Sequence, residues 1–558
     1  MSQSRALGLA SPVQTHARRA VVRLGDTLRG AVYGSALYRM SLRGRRPDGL
    51  AFRPGDPWPG DAGRGRAFLA GEYRFGDQCI TATTGLPWHP AGASPVWLVE
   101  AHGFAWLRDF EALGSDEARA AARDAVSDWV GRCGAWHPLV WRPDVLGRRI
   151  AAWIGHADFV VHAGDTDLKA RTLASLAAQL RHLARVAGDA ADAEARMAAI
   201  KGLVIGALCL PGNERRLELG IELLEREAAE QALADGGHVA RSPSVHFRVF
   251  QDLVALRAAL RLASRPVPKA LQNAIDRMAP MLRFFRHGDG GLALFNDSNE
   301  ENPAVIDAAL ELGEADGKEP ASAPHSGFER LAAGALLVVA DVGAPPASAC
   351  RHTHAGPLSL EVSVGAERLI VNCGAYAGDR PAWRRAQRAT AAHSTVTIDD
   401  TDAVDITSAG AVVRGPKRVT CARHEDAGSI WLDAEHDGYR ETFGVVHRRR
   451  LYLDAAGNDL RGEDRLSGPG GKSFAVRFHL HPAVSASLVD DGAGALLRLG
   501  KGGGWRLRVA GAALRIAESV YLGAGGEPRR SEQIVLGGPL KGNKTTIKWA
   551  LSRIGEGG

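Results

Sequence analysis

The sequence predicts an α+β multidomain protein, with antiparallel helices first and an antiparallel β-sandwich second. Three observations carry this. At 558 residues the chain is too long for one ordinary core, so two domains are expected. From Thr172 to about His287, alanine-rich segments of helical period follow one another, most closing at or near a Gly. From Phe328 to about Ile554, short alternating segments take over, separated by Gly, Asp and Asn turns. A ligand cleft is expected where the two halves meet.

The totals exclude little. Hydrophobic residues make up 45% and charged residues 24%, ordinary values for a soluble globular chain. A formal net charge of +6 permits an acidic partner without demanding one, and no nucleic acid is expected. No stretch reaches the roughly 18 apolar residues of a membrane span. Residues 1–50 hold no apolar run of an export signal, so the cytoplasm is the expected compartment. Cys79, Cys133, Cys209, Cys350, Cys373 and Cys421 form no C-x-x-C pair and are expected to be free and buried.

In chain order, residues 1–50 form an arginine-rich lead-in, with a peripheral helix over about Thr15 to Met40. Arg18, Arg19, Arg23 and Arg29 give His16 to Tyr38 an amphipathic, membrane-surface reading beside the plainer one of a solvated face. Residues 51–315 form the helical domain. Its opening, 51–95, has the Gly, Pro and aromatic content of turns and short strands, not helix. Trp97, Ala101, Phe104 and Leu107 recur at spacings of three and four, a helix from near Val96. Ser115 to Cys133 is another, and Pro143 suits the first turn of a third. Ser242 and Pro243 cap a helix carrying His246, with His238 in the loop before it. GEADGKEPASAPHSG reads as a linker, and residues 326–555 form the sandwich.

The stretch His352 to Asp400 organises the chain. Leu358, Leu360, Val362 and Val364 alternate with Ser359, Glu361 and Ser363, a half-buried strand. A second strand begins at Leu369, and a third covers Thr395 to Asp399. His352, His354 and His393 fall at strand ends, with Trp383, Arg384, Arg385 and Arg388 between them. Imidazoles and guanidiniums gathered there suit an anionic ligand better than a core. His352 and His354, two apart on a strand end, with His393 and Asn372, also offer a ligand set for a structural zinc ion; hydrogen bonding to loop backbone is the alternative.

These residues carry a resemblance. H-x-H-x-G-x-L-S from His352, L-I-V-N-x-G from Leu369 and W-R-x-x-x-R-A-T-x-A-H-S-T-V from Trp383 are similar to the sheet domain of the heparinase II/III family of polysaccharide lyases. HDGY at His436 to Tyr439, GVVHRRRLYL at Gly444 to Leu453 and GEDRL at Gly462 to Leu466 extend it. DGGHVARSPSVHFRVFQDL resembles the helical half. The resemblance implies an N-terminal (α/α) toroid followed by an antiparallel β-sandwich. It also implies β-elimination on an acidic, uronate-containing polysaccharide of glycosaminoglycan-like type, and a periplasmic or envelope location as an alternative to the cytoplasm.

Such a reaction needs a base to take the proton alpha to a carboxylate, and cations or donors to neutralise that carboxylate. By the resemblance His352 is the sandwich histidine of catalysis, and His354, Asn372 and His393 fall where some members hold zinc, Asn372 replacing the usual Asp. No cofactor is otherwise required. Val245 stands where the family has its catalytic tyrosine, and Glu194 to Met197 contain neither Asn nor His. The expected substitutes are His238 or His246 as base, with Arg351, Arg384 and Arg388 on the substrate anion and Tyr376 and Tyr439 reaching the cleft from the sandwich. The alternative is a non-catalytic or partner-dependent glycan-binding member acting in envelope polysaccharide metabolism. A hydrolase built on Asp144, Asp252 and Glu329 is a third reading.

Overall fold

The computed structural model describes residues 29–160, 165–346, 350–378, 380–501 and 503–555. Helices fill the first half, wound as an (α/α) toroid, and two antiparallel sheets fill the second. The innermost helix is Ala193–Cys209. It is apolar nearly all round, and almost every side chain on it is buried, as such a pattern demands. Its start is set by Asp192, whose carboxylate accepts from the Ala195 amide at 2.9 Å. It meets the helix Pro143–Gly155 backbone to backbone. A Cβ on Gly147 would lie 2.1 Å from the Ala198 carbonyl oxygen, and one on Gly202 would lie 2.3 Å from the Gly147 Cα. This contact fixes how deep Glu194, in the first turn, sits in the toroid.

Several expectations are corrected here. The helix expected from Val96 is two, Pro95–Gly103 and Leu107–Leu113, broken where Phe104 takes a left-handed φ of 61°. The stretch 51–95 does contain a hairpin, Glu72–Phe75 with Gln78–Thr81, but also a helix, Ala62–Leu69. Asp61 caps that helix by accepting from the Gly63 and Arg64 amides, and the cap overrides the two glycines inside it. Of the helix expected over about Thr15 to Met40, the described end is helical, over residues 29–34 and Ala36–Ser41; Arg18, Arg19 and Arg23 lie outside the described residues. All six cysteines are unpaired, yet Cys79 and Cys421 are exposed rather than buried.

The sandwich packs an eight-stranded sheet on a nine-stranded one around Leu432, Leu451, Phe478 and Trp549. Inside it Asp464 accepts from Arg449 Nε at 2.7 Å, His447 Nε2 at 2.8 Å and Trp549 Nε1 at 3.0 Å. The organising stretch supplies strands Leu360–Val364 and Glu367–Val371 to the nine-stranded sheet, and Val396–Ile398 pairs with Ser473–Leu480. The first of these is not half-buried as expected. Ser359, Glu361 and Ser363 are covered as completely as the leucines opposite, because His287 lies on that face. Its Nδ1 is 2.8 Å from Ser363 Oγ and its Nε2 is 3.0 Å from Glu361 Oε2. Among the described residues no helix is long and apolar enough to cross a membrane.

Candidate functional site

The two halves meet at an ionic cluster. From the sandwich side, Arg351 and His352 point toward the toroid. From the toroid, Glu194 at the start of the inner helix, Arg248 on the helix Pro243–Leu262 and Arg148 on Pro143–Gly155 face them. Arg248 Nε is 2.6 Å from Glu194 Oε1, and an Arg351 guanidinium nitrogen is 3.0 Å from Oε2. His352 Nε2 lies 3.3 Å from Oε2, an ionic contact, and Arg148 is 3.7 Å from Oε1. Outer carboxylates complete the set: Asp192 at 2.8 Å from Arg351 and Glu301 at 3.5 Å from Arg248.

Behind His352 stands a built turn. Asn296 and Asp297 both take left-handed φ, 48° and 62°, a conformation these residue types tolerate better than most. The Asn296 side chain accepts from the His354 amide at 3.2 Å and donates to the Arg241 carbonyl at 2.9 Å. The turn aims Asp297 at His352 Nδ1, 2.8 Å away, while Gln387 donates to its other oxygen at 2.8 Å.

The electrostatics follow. Burial opposes charge on Glu194, but Arg248, His352 and Arg351 outweigh it and hold its carboxyl well below the usual range. Burial likewise opposes charge on Asp297, and His352 outweighs it. Burial would lower the His352 pKa, but its contacts with Asp297 and Glu194 outweigh burial and raise it above the ordinary histidine value. Cations and carboxylates are matched within the cluster. A substrate carboxylate entering it meets guanidiniums already engaged by Glu194.

The sequence-predicted residues divide. His352 and Arg351 are in the cluster. Arg384 is half-buried, and its charge acts on Asp297. Tyr376 is buried; its hydroxyl donates to Asp77, its amide donates to Gln387 Oε1 at 2.7 Å, and its ring stacks on Trp383 at 5.7 Å between centroids. His238 lies in the wall of the toroid with both nitrogens used. Nδ1 accepts from the Ala240 amide at 3.1 Å, so Nε2 donates to Gln231 Oε1 at 3.0 Å. His246 is fully buried and donates from Nε2 to the Met278 carbonyl at 2.9 Å, which leaves its basic Nδ1 enclosed. Burial pulls both rings down, His238 to about 3 and His246 to about 4. Neither turns a lone pair toward a ligand. Tyr439 is in the sandwich core, donating to the Val396 carbonyl at 2.7 Å, and does not reach the cleft. Arg388 donates to the carbonyls of Arg351, Thr407 and Ser408, so most of its fork is engaged in holding a loop.

The proposed zinc ligands do not fit a metal. His393 Nδ1 donates to the Ala389 carbonyl at 2.8 Å, so its Nε2 accepts from His354 Nδ1 at 3.1 Å. Asn372 spends its oxygen on the Ser394 amide at 3.0 Å and its NH2 on Glu361 at 3.1 Å. Among the described residues no three His, Cys, Asp or Glu side chains converge as a metal site. Asp144, Asp252 and Glu329 each pair with a cation of their own, Arg142, Lys201 and Arg423, in three separate places. Sequence reasoning missed Glu194, Asn296, Asp297 and Gln387 as site residues. The run Asn296-Asp297-Ser298-Asn299 was the one signal for them, since it favours left-handed turns.

Comparison with known proteins agrees with this architecture. The pattern of the heparinase II/III-like C-terminal domain matches residues 315–550. The chain is also 35% identical over 547 residues to FtsZ-localized protein C of Caulobacter vibrioides (strain NA1000 / CB15N), covering 93% of each. The chain belongs to the heparinase II/III-like family. Its fold is that of heparinase III, with a TM-score of 0.71 over 92% of this chain and 88% of that one at 13% identity. Heparan sulfate lyase HepC from Pedobacter heparinus superposes with a TM-score of 0.57 at 17% identity, over 98% of this chain and 91% of its own. At those identities the likeness is one of fold. In this chain the Glu194 cluster occupies the junction of toroid and sandwich, and Val245 stands in the first turn of the helix that follows Ser242.

Proposed function

We propose that the chain is a non-catalytic, glycan-binding member of the heparinase II/III-like family. The observation that carries this is Glu194. A lyase must leave cations free to neutralise the substrate carboxylate and must present a base to the carbon beside it. Here Glu194 takes up Arg148, Arg248, Arg351 and His352. Val245 can neither take nor give a proton, and the lone pairs of His238 and His246 are occupied or enclosed. What remains for a glycan is the surface beside the cluster, where Trp383 stacks on Tyr376 and Arg384 adds a cation. The Caulobacter relative is named for its localization with FtsZ, which supports a role for this chain where FtsZ is found.

The test is ultraviolet absorbance near the unsaturated-uronide band during incubation with a panel of acidic polysaccharides. A flat trace with retained binding of one polymer is expected. A rise on any polymer overturns the reading and favours a second one, elimination through His352. The observation favouring that second reading is the Asp297–His352–Glu194 arrangement, which sets an imidazole between two carboxylates beside the cleft.

A further inference from the structure

A second basic site lies away from the cleft, where the segment after helix Ala36–Ser41 folds back on the toroid. Arg39, Arg43, Arg45, Arg46 and Arg181 line a cavity of 640 Å³ there. No Asp or Glu lines it, and none of the five arginines makes an ion pair among the described residues. This separates it from the Glu194 cluster, where every cation has a carboxylate. Arg181 fixes the cavity. Its guanidinium donates to the carbonyls of Leu42 and Arg45, both at 2.9 Å, which ties the loop down without neutralising the charge. Gly44 lets the loop pass close to the Arg181 guanidinium, which a Cβ there would push aside from 2.8 Å. The side chains of Arg39, Arg43, Arg45 and Arg46 are exposed and make no hydrogen bond within the described residues, so their forks are free.

An exposed arginine run is commonly no more than a solvated face. Two features set this one apart. It is concave, with the indoles of Trp136 and Trp141 as walls, and its loop is tied to the toroid by the half-buried Arg181. Like charges crowded against apolar walls are unfavourable until an anion joins them. Guanidinium forks match the paired oxygens of a phosphoryl group better than a single carboxylate. The volume suits a small phosphorylated group.

We propose that this cavity binds a phosphate-bearing ligand through Arg39, Arg43, Arg45 and Arg46. The phosphoryl group belongs either to a soluble phosphate ester or to a lipid headgroup. Leu37 and Met40 on the helix Ala36–Ser41 and Val32 just before it, 79%, 56% and 57% exposed, would suit the second source.

The experiment uses the full chain and the R43Q/R46Q double variant. Both substituted residues are exposed and make no side-chain bonds among the described residues, and a thermal melt monitored by circular dichroism verifies that the variant folds. Inorganic pyrophosphate is titrated calorimetrically, and vesicles of phosphatidylglycerol or of phosphatidylcholine are co-sedimented. Pyrophosphate binding that weakens at least about tenfold in the variant assigns a soluble phosphate ligand. Co-sedimentation with phosphatidylglycerol vesicles alone, lost in the variant, assigns the headgroup. A native chain that binds neither probe, or a variant that binds as the native chain does, overturns the proposal. The outcome is independent of the cleft, since none of these residues touches it.

Discussion

Replacing Glu194 by Gln tests the cleft most directly. The change keeps the shape and one hydrogen-bond acceptor but removes the charge that Arg248, Arg351 and His352 share. Breaking a fully buried ion pair costs about 3–5 kcal/mol. Here the loss is smaller, because the arginine side chains are 38% and 45% exposed and each cation keeps a second carboxylate, Glu301, Asp192 or Asp297. About 2 kcal/mol is expected, read as a lower urea midpoint. The same substitution frees the cations for a ligand. A carboxylate bound about 5 Å from Glu194 is repelled by about 3 kcal/mol at an effective dielectric of about 20. Removing that repulsion is worth up to about two hundredfold in Kd, and at least about tenfold after solvent screening. Calorimetry with a glucuronate oligosaccharide, on native chain and E194Q in parallel, measures it. A variant with the native urea midpoint and no gain in affinity would refute the self-neutralised cleft.

Other consequences can be checked alongside. Asp464→Ala leaves Arg449 and His447 charged or unpaired in the sandwich core and should cost about 3–5 kcal/mol, seen as an early urea transition. The cluster also sets a pH window. His352 has a raised pKa, so its contribution to stability is full below its ordinary 6.5 and is lost as pH rises through the raised value. Glu194 and Asp297 have depressed pKa values, so theirs is full above 4.5 and 3.8 and is lost as pH falls through the lowered values. Urea midpoints should therefore be highest between 4.5 and 6.5, and H352Q should flatten the alkaline side; an unchanged alkaline limb would remove His352 from the clamp. Dialysis against EDTA should leave the melting temperature where it was, because His354 and His393 bond to each other; a marked drop would restore the zinc expectation.

Much of the architecture is legible in the sequence because it rests on period. The outer helices and the strands of the sandwich announce themselves through apolar spacing, the inner helix through an alanine-rich apolar run, and Ser242-Pro243 marks its helix start by capping chemistry alone. The failures are local. A left-handed Phe104 splits a helix whose period runs straight through the break, and Asp61 starts a helix in glycine-rich text. The site was half legible for a different reason. His352 and Arg351 stand in a recognisable motif, whereas Glu194 lies 157 residues away in an apolar helix. Its role exists only once the toroid brings that helix against the sandwich. His238 and His246 were attractive as residue types. What decides their chemistry is which nitrogen is already engaged, and the sequence does not carry that.

The ring of His287 on the nine-stranded sheet bears on where this chain can be cut. The recognisable sheet domain begins at residue 315, yet the partner of Glu361 and Ser363 lies upstream of that border. A fragment starting there would present a carboxylate and a hydroxyl, both selected for a dry interface, to open water on a bare sheet face. The unit of inheritance visible in sequence is thus smaller than the unit that can stand alone. Fragments, domain swaps or circular permutants that respect the former should be insoluble unless they carry the segment around His287 with them.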